Sequence, residues 1–99
     1  MLKEYIDRQK EWSKITFGDG LRTIGLCEHI KKELEEIKLK PNDPFEWIDV
    51  IILALDGAWR TGYSATEVVN ALEEKQVINF KRKWPSINYE NKPSEHIRC

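Results

Sequence analysis

The sequence is poor in most of what marks a secreted, membrane-embedded or polymer-binding protein. It carries two cysteines, Cys27 and Cys99, in 99 residues. One falls in a helical pattern and the other is the last residue. That is no disulfide framework, and it fits reduced thiols in a cytoplasmic setting. Long hydrophobic runs are missing too. The longest, Val50 to Leu55, is far too short to span a bilayer, and Met1-Leu2-Lys3-Glu4 opens a charged helix rather than a signal peptide. A soluble chain with no membrane partner is expected. Neither charge sign dominates: 16 Lys and Arg stand against 17 Asp and Glu, for a net charge of -1, and no half is strongly basic. A surface that tracks a nucleic-acid polymer needs a marked positive excess. A single nucleotide needs only a few cations placed locally, so it is not excluded. Strand signals are scarce, and internal repeats and low-complexity stretches are absent.

What is present is helical periodicity. With a hydrophobic fraction of 40%, the chain reads as one small all-α domain of about four helices. The first helix spans roughly Leu2 to Ser13, polar on most faces, and is followed by the loop Thr16-Phe17-Gly18-Asp19-Gly20. A second spans about Leu21 to Leu39, with an apolar stripe of Leu26, Ile30, Leu34 and Ile37. Asp43 then serves as N-cap, Pro44 as first helical residue and Glu46 as capping-box partner for a third helix that runs to Thr61 and stops at Gly62. Ser64 and Glu67 box the start of a fourth, to about Lys83. Trp84-Pro85 closes it, so residues 1–86 read as the domain and 87–99 as a loosely ordered tail. The third helix is apolar on nearly every face, which predicts burial all round. So short a chain cannot supply that cover alone, and a homo-oligomer, dimer or tetramer, is expected.

Three acids, Glu46, Asp49 and Asp56, interrupt that apolar helix, and at about 100° per residue they share one stripe. Two have bland explanations: Glu46 as a capping residue and Asp56 as the partner of Arg60 four positions on. Asp49 has no basic residue three or four positions away. On the second helix Glu28 and Glu35 point to solvent, whereas Glu33 and Glu36 border the apolar stripe beside His29. Helices joined by a short loop pack antiparallel, which lets Glu33 and Glu36 face Glu46 and Asp49. Four converging carboxylates repel one another unless divalent cations bind between them, and an all-oxygen set suits Mg²⁺, with Mn²⁺ as a substitute. Zinc is a poor alternative with two histidines and two distant cysteines, and the Glu-x-x-His of di-iron bundles is missing.

Lys32-Glu33-Leu34-Glu35-Glu36-Ile37 followed by Glu46-Trp47-Ile48-Asp49-Val50 resembles the paired motifs of the MazG-like all-α nucleoside triphosphate pyrophosphohydrolases. Thr16-Phe17-Gly18, His29 to Leu34, Glu46 to Gly57 and Asn79 to Pro85 resemble more closely its short dATP/dGTP pyrophosphohydrolase branch, near which phage MazZ-like enzymes stand. The resemblance covers roughly residues 10 to 86. It implies cleavage of purine deoxynucleoside triphosphates to the monophosphate and pyrophosphate, with a metal-activated water attacking the α-phosphorus. It also implies that Glu33, Glu36, Glu46 and Asp49 hold Mg²⁺, and that Glu33 or Glu36 doubles as the base. Many MazG-like proteins carry a glutamate just before the position of Glu33. Here it is Lys32, a candidate phosphate contact instead. Arg22, Lys81, Arg82 and Lys83 are further candidates for the β and γ phosphates, and Asn79 for sugar or phosphate. Among Trp12, Phe17, Trp59 and Trp84, Phe17 in its glycine-flanked loop is the best stacking residue for a purine, whereas Trp59 and Trp84 read better as core or interface aromatics. Two other readings stay open on the residues alone: a non-enzymatic helical interaction module, and the same fold acting on a different nucleotide.

Overall fold

Helix ends leave backbone groups in need of partners, and how these are met sets several of the boundaries. In the computed structural model, which describes residues 1–87 and 92–97, the order is α1 (Leu2–Phe17), α2 (Thr23–Leu39), α3 (Pro44–Arg60) and α4 (Ala65–Lys81). No strand forms among the described residues. The expected all-α architecture is therefore observed, with boundaries that differ in informative ways.

α1 runs one turn beyond the expected Ser13. Ser13 is fully buried and its hydroxyl is engaged by Asp56 and Arg60, so it does not compete with the backbone and the helix continues. It ends at Gly18, whose φ of 91° is open to glycine at no steric cost and whose N–H donates to Lys14 O at 2.9 Å. α2 starts two residues later than expected, after Arg22. At α3 the Asp43 side chain accepts from Phe45 N at 2.9 Å, with Pro44 in the first turn as anticipated. The capping box does not form: the Glu46 side chain does not accept from Asp43 N, and its Oε2 is buried without a partner. The box at α4 does form, with Ser64 N donating to Glu67 Oε1 at 3.0 Å and Glu67 N to Ser64 Oγ at 3.2 Å.

The contacts divide the chain into two units, Met1–Val69 and Asn70–Cys99. In the first, α3 packs on both α1 and α2. Its core gathers Ile6, Trp59, Ala65 and Val68, with Tyr5, Leu55, Ala58 and Val69 against it. The α2–α3 pair runs antiparallel, since Leu26 lies beside Gly57 while Glu33 meets Glu46 and Asp49. On α2 the buried residues are Leu26, Glu33 and Ile37. Leu34, expected in the apolar stripe, is 44% exposed, and the acid Glu33 lies inside the buried face rather than on its border. The single chain does not cover α3 on every side. Only Asp56, Trp59 and Arg60 are buried, while Phe45, Trp47, Ile48 and Ile51 are all exposed.

In the second unit, residues 92–97 return to the end of α4. Ile97 pairs with Lys83, and the His96 ring meets Trp84 edge-on at 5.9 Å. Cys99 and part of the expected tail lie outside the described residues. Among the described residues no helix is long and apolar enough to cross a membrane.

Candidate active site

Glu33 shares the face of α2 that buries Leu26 and Ile37, and the first two turns of α3 bring Glu46 and Asp49 opposite it. One carboxylate oxygen from each of the three lies within 4.8 Å of the others. Glu36 completes the group, one turn along α2 from Glu33 and close enough to act on both Glu33 and Glu46. Burial, followed by the Glu36 carboxyl and the Asp49 charge, holds the Glu33 pKa above its usual value. His29, with Nε2 at 3.2 Å from Glu33 Oε1, opposes that shift. Burial and then the Glu36 charge likewise raise Glu46, against the nearby Lys40. Glu33 Oε2 and Glu46 Oε2 are both buried without a hydrogen-bond partner. Orphaned carboxylate oxygens of this kind are costly, and neither His29 nor Lys40 donates to them. An all-oxygen donor set with two unsatisfied buried members fits a hard divalent cation.

A cleft of about 280 Å³ opens beside the acids. Glu33 and Asp49 line it together with Trp12, Phe17, Arg22 and Leu26. The Trp12 and Phe17 rings meet edge-to-face at 5.5 Å, and the Arg22 guanidinium stands 4.5 Å from the Phe17 centroid. Aromatic surface and carboxylates thus share one concavity, the combination that a nucleobase with a metal-borne phosphate chain requires.

Asp56, the third acid of α3, lines the same cleft but is bonded quite differently. It is buried beside Arg60 and accepts from Ser13 Oγ, from Gln9 Nε2 at 3.1 Å and from Arg60 Nε. Burial opposes its ionisation, but the hydrogen bonds from Ser13, Arg60 and Gln9 and the Arg60 charge outweigh that and hold its pKa low. Gln9 Oε1 accepts in turn from Trp59 Nε1 at 2.7 Å. Asp56 is a satisfied structural acid, paired with Arg60 as its spacing suggests.

Of the residues singled out from sequence, the structure brings together Glu33, Glu36, Glu46 and Asp49, and it adds Phe17 and Arg22 in the adjoining cleft. Lys32 is exposed and does not line it. Asn79, Lys81, Arg82 and Lys83 belong to the second unit, where Asn79 Oδ1 accepts from Arg82 Nη1 at 3.3 Å and Asn79 O from Trp84 Nε1 at 2.9 Å. Trp59 is a core residue. Sequence reasoning missed Gln9 and Ser13. The signal was their spacing from Ile6, which places all three on one stripe of an otherwise polar helix.

The family model for dATP/dGTP pyrophosphohydrolases matches residues 5–99, a span that takes in the acids, the cleft and the segment after Trp84-Pro85. The chain belongs to the dATP/dGTP pyrophosphohydrolase family. As a dATP/dGTP pyrophosphohydrolase it is an enzyme, a hydrolase acting on nucleotides, and the interaction-module reading falls away. No curated protein and no solved structure matches the chain.

Proposed function

We propose that this pyrophosphohydrolase hydrolyses dATP and dGTP between the α and β phosphates, with Mg²⁺ held by Glu33, Glu36, Glu46 and Asp49. The observation that carries the reading is the pair of unpartnered buried oxygens, Glu33 Oε2 and Glu46 Oε2, in one cluster with Asp49. When bound there, a divalent cation supplies charge neutralisation on the triphosphate and a lowered pKa for the attacking water. The chain's own groups do the rest. Glu33 or Glu36 accepts the water's proton at a carboxylate oxygen. Phe17, with Trp12 at its edge, stacks on the purine, and Arg22 contributes positive charge to the same cleft. Lys32, Asn79, Lys81, Arg82 and Lys83 are assigned to the phosphates, those of the second unit by way of a neighbouring subunit. The test is calorimetric titration with Mg²⁺ and Mn²⁺, followed by pyrophosphate release across a panel of deoxy- and ribonucleoside triphosphates. Stoichiometric metal binding and a preference for dATP and dGTP are expected. Metal-independent turnover, or release of single phosphates, would sink the reading.

We also propose that the working form is a homo-oligomer, a dimer or a tetramer, joined through the exposed face of α3. Phe45, Trp47, Ile48 and Ile51 leave that face open, and burying each such side chain contributes about 1.5–3 kcal/mol. Sedimentation is expected to show an oligomer at micromolar concentration that Ile51→Glu dissociates. A monomeric wild-type protein would overturn this.

A further inference from the structure

We infer that the buried Arg60–Asp56 pair is a positioning device for the nucleotide cleft, in which Arg60 grips the carbonyls of Gly18 and Gly20 and so sets Phe17 and Arg22 in the wall that receives the base. The inference rests on the reading that this cleft takes the nucleotide. The Arg60 side chain is 1% exposed, and each of its five N–H groups has an acceptor. Nε donates to Asp56 Oδ1. Nη1 donates to Gly18 O at 2.8 Å and Gly20 O at 2.9 Å. Nη2 donates to Ser13 Oγ at 2.9 Å and, more weakly, to Ser13 O at 3.4 Å.

An ion pair that served only to neutralise Asp56 would need one of those donors, or a lysine. Two are committed instead to carbonyls of the α1–α2 connection. Both glycines hold positive φ, 91° and 88°, a conformation that side chains with a Cβ rarely adopt. Phe17 and Arg22 flank this connection, one as the last residue of α1 and the other as N-cap of α2, and they face each other at 4.5 Å. The planar guanidinium fork ties α3, which carries Glu46 and Asp49, to the connection that Phe17 and Arg22 flank. A lysine cannot reproduce that geometry. The hub therefore sets the separation between the stacking surface and the acids, and with it the fit of the substrate.

The test is Arg60→Lys, which keeps the charge beside Asp56 and loses the fork. With dATP and dGTP, KM is expected to rise about tenfold, the scale of one lost hydrogen bond to a charged group. Turnover at saturation should stay within about twofold of wild type, the signature of lost substrate binding rather than lost chemistry. Amides of residues 18–22 should exchange hydrogen faster, and Mn²⁺ affinity without nucleotide should be unchanged. Phe17→Leu should raise KM by itself, and the double variant should show less than the product of the two effects, because Arg60 acts through Phe17. Gly20→Ala gives an independent arm if Arg60→Lys fails to fold. A methyl there meets open space, so only the backbone bend and its carbonyl are disturbed, and a several-fold rise in KM is expected. An unchanged KM in both Arg60→Lys and Gly20→Ala, multiplicative effects in the double variant, or a fall in kcat with KM unmoved overturns the positioning role. An unchanged KM in Phe17→Leu would instead defeat the cleft reading, and this inference with it.

Discussion

Two acidic sites lie on α3 about two turns apart, and they are opposites. At the N-terminal end Glu46 and Asp49 meet Glu33 and Glu36, and with His29 beside Glu33 and Lys40 near Glu46 two carboxylate oxygens are still unsatisfied. Toward the C-terminal end Asp56 is more deeply buried than Glu46 or Asp49, yet Ser13, Gln9 and Arg60 all donate to it. The electrostatic consequences have opposite signs: the glutamates are pushed up in pKa and Asp56 is pulled down. A buried acid with its donors built in belongs to the fold. A cluster of acids without them holds repulsion that the cation of the proposed reading would relieve.

The strongest way to break this comparison is to remove charge from the unsatisfied site. Asp49→Asn and Glu36→Gln are each expected to cut turnover by at least ~10²-fold, more than the loss of a group that merely orients a ligand. Helicity by circular dichroism should be retained. Near-normal pyrophosphate release in either variant would remove the cluster from the active site. At the satisfied site the cost should fall on stability. Asp56→Ala strands the Arg60 guanidinium in the interior and should destabilise the fold by about 3–5 kcal/mol, read from urea unfolding, while Mg²⁺ affinity of the folded fraction is preserved. A loss of metal binding there would erase the distinction between the two acids.

Glu46→Gln sharpens the contrast at a single residue. Were Glu46 a capping residue, its replacement would cost on the order of 1 kcal/mol. Because its carboxylate is turned into the cluster instead, the metal-free protein should be as stable as wild type or more so, with weakened Mg²⁺ binding. Unchanged metal affinity would leave a site of three carboxylates.

The smallest effect is the dependence of stability on pH in EDTA. Glu33 and Glu46 have raised pKa values in the folded state, so the metal-free fold binds more protons than the unfolded chain between the ordinary carboxylate value and the raised one. Stability contributed by these two groups therefore falls as pH rises through that window, and saturating Mg²⁺ should abolish the fall. Asp56 acts in the reverse sense. Its contribution is present above the ordinary aspartate value and is lost as pH drops through its depressed one. Thermal unfolding from pH 3 to 8, with and without Mg²⁺, separates the two. A metal-free profile that only rises with pH would contradict the repulsive cluster.

Much of this was legible in the sequence because it is local. Asp43-Pro44 and the Ser64–Glu67 box start α3 and α4 through atoms a few residues apart. The spacing of Glu33 with Glu36 and of Glu46 with Asp49 follows from helical periodicity, and a short connection between two helices leaves little choice but an antiparallel pair. The same local rules mislead at Glu46, whose position suits a cap while its carboxylate lies in the cluster. They mislead again at Leu34, which the stripe places inside and the single chain leaves exposed. Periodicity assigns residues to a face but does not say what covers that face.

By itself, then, the sequence determined that this protein is a short helical chain carrying paired acidic motifs, because helix propensity, capping and periodicity act over one or two turns. The tertiary structure alone decided which acids are satisfied and what stands beside the unsatisfied ones. Arg60 finds its loop and α1 acceptors 40 to 47 residues away, and Trp12 and Phe17 reach the cleft of Glu33 and Asp49 from another helix. Contacts at such separations depend on how helices pack against one another, and no spacing rule along a single helix contains that information.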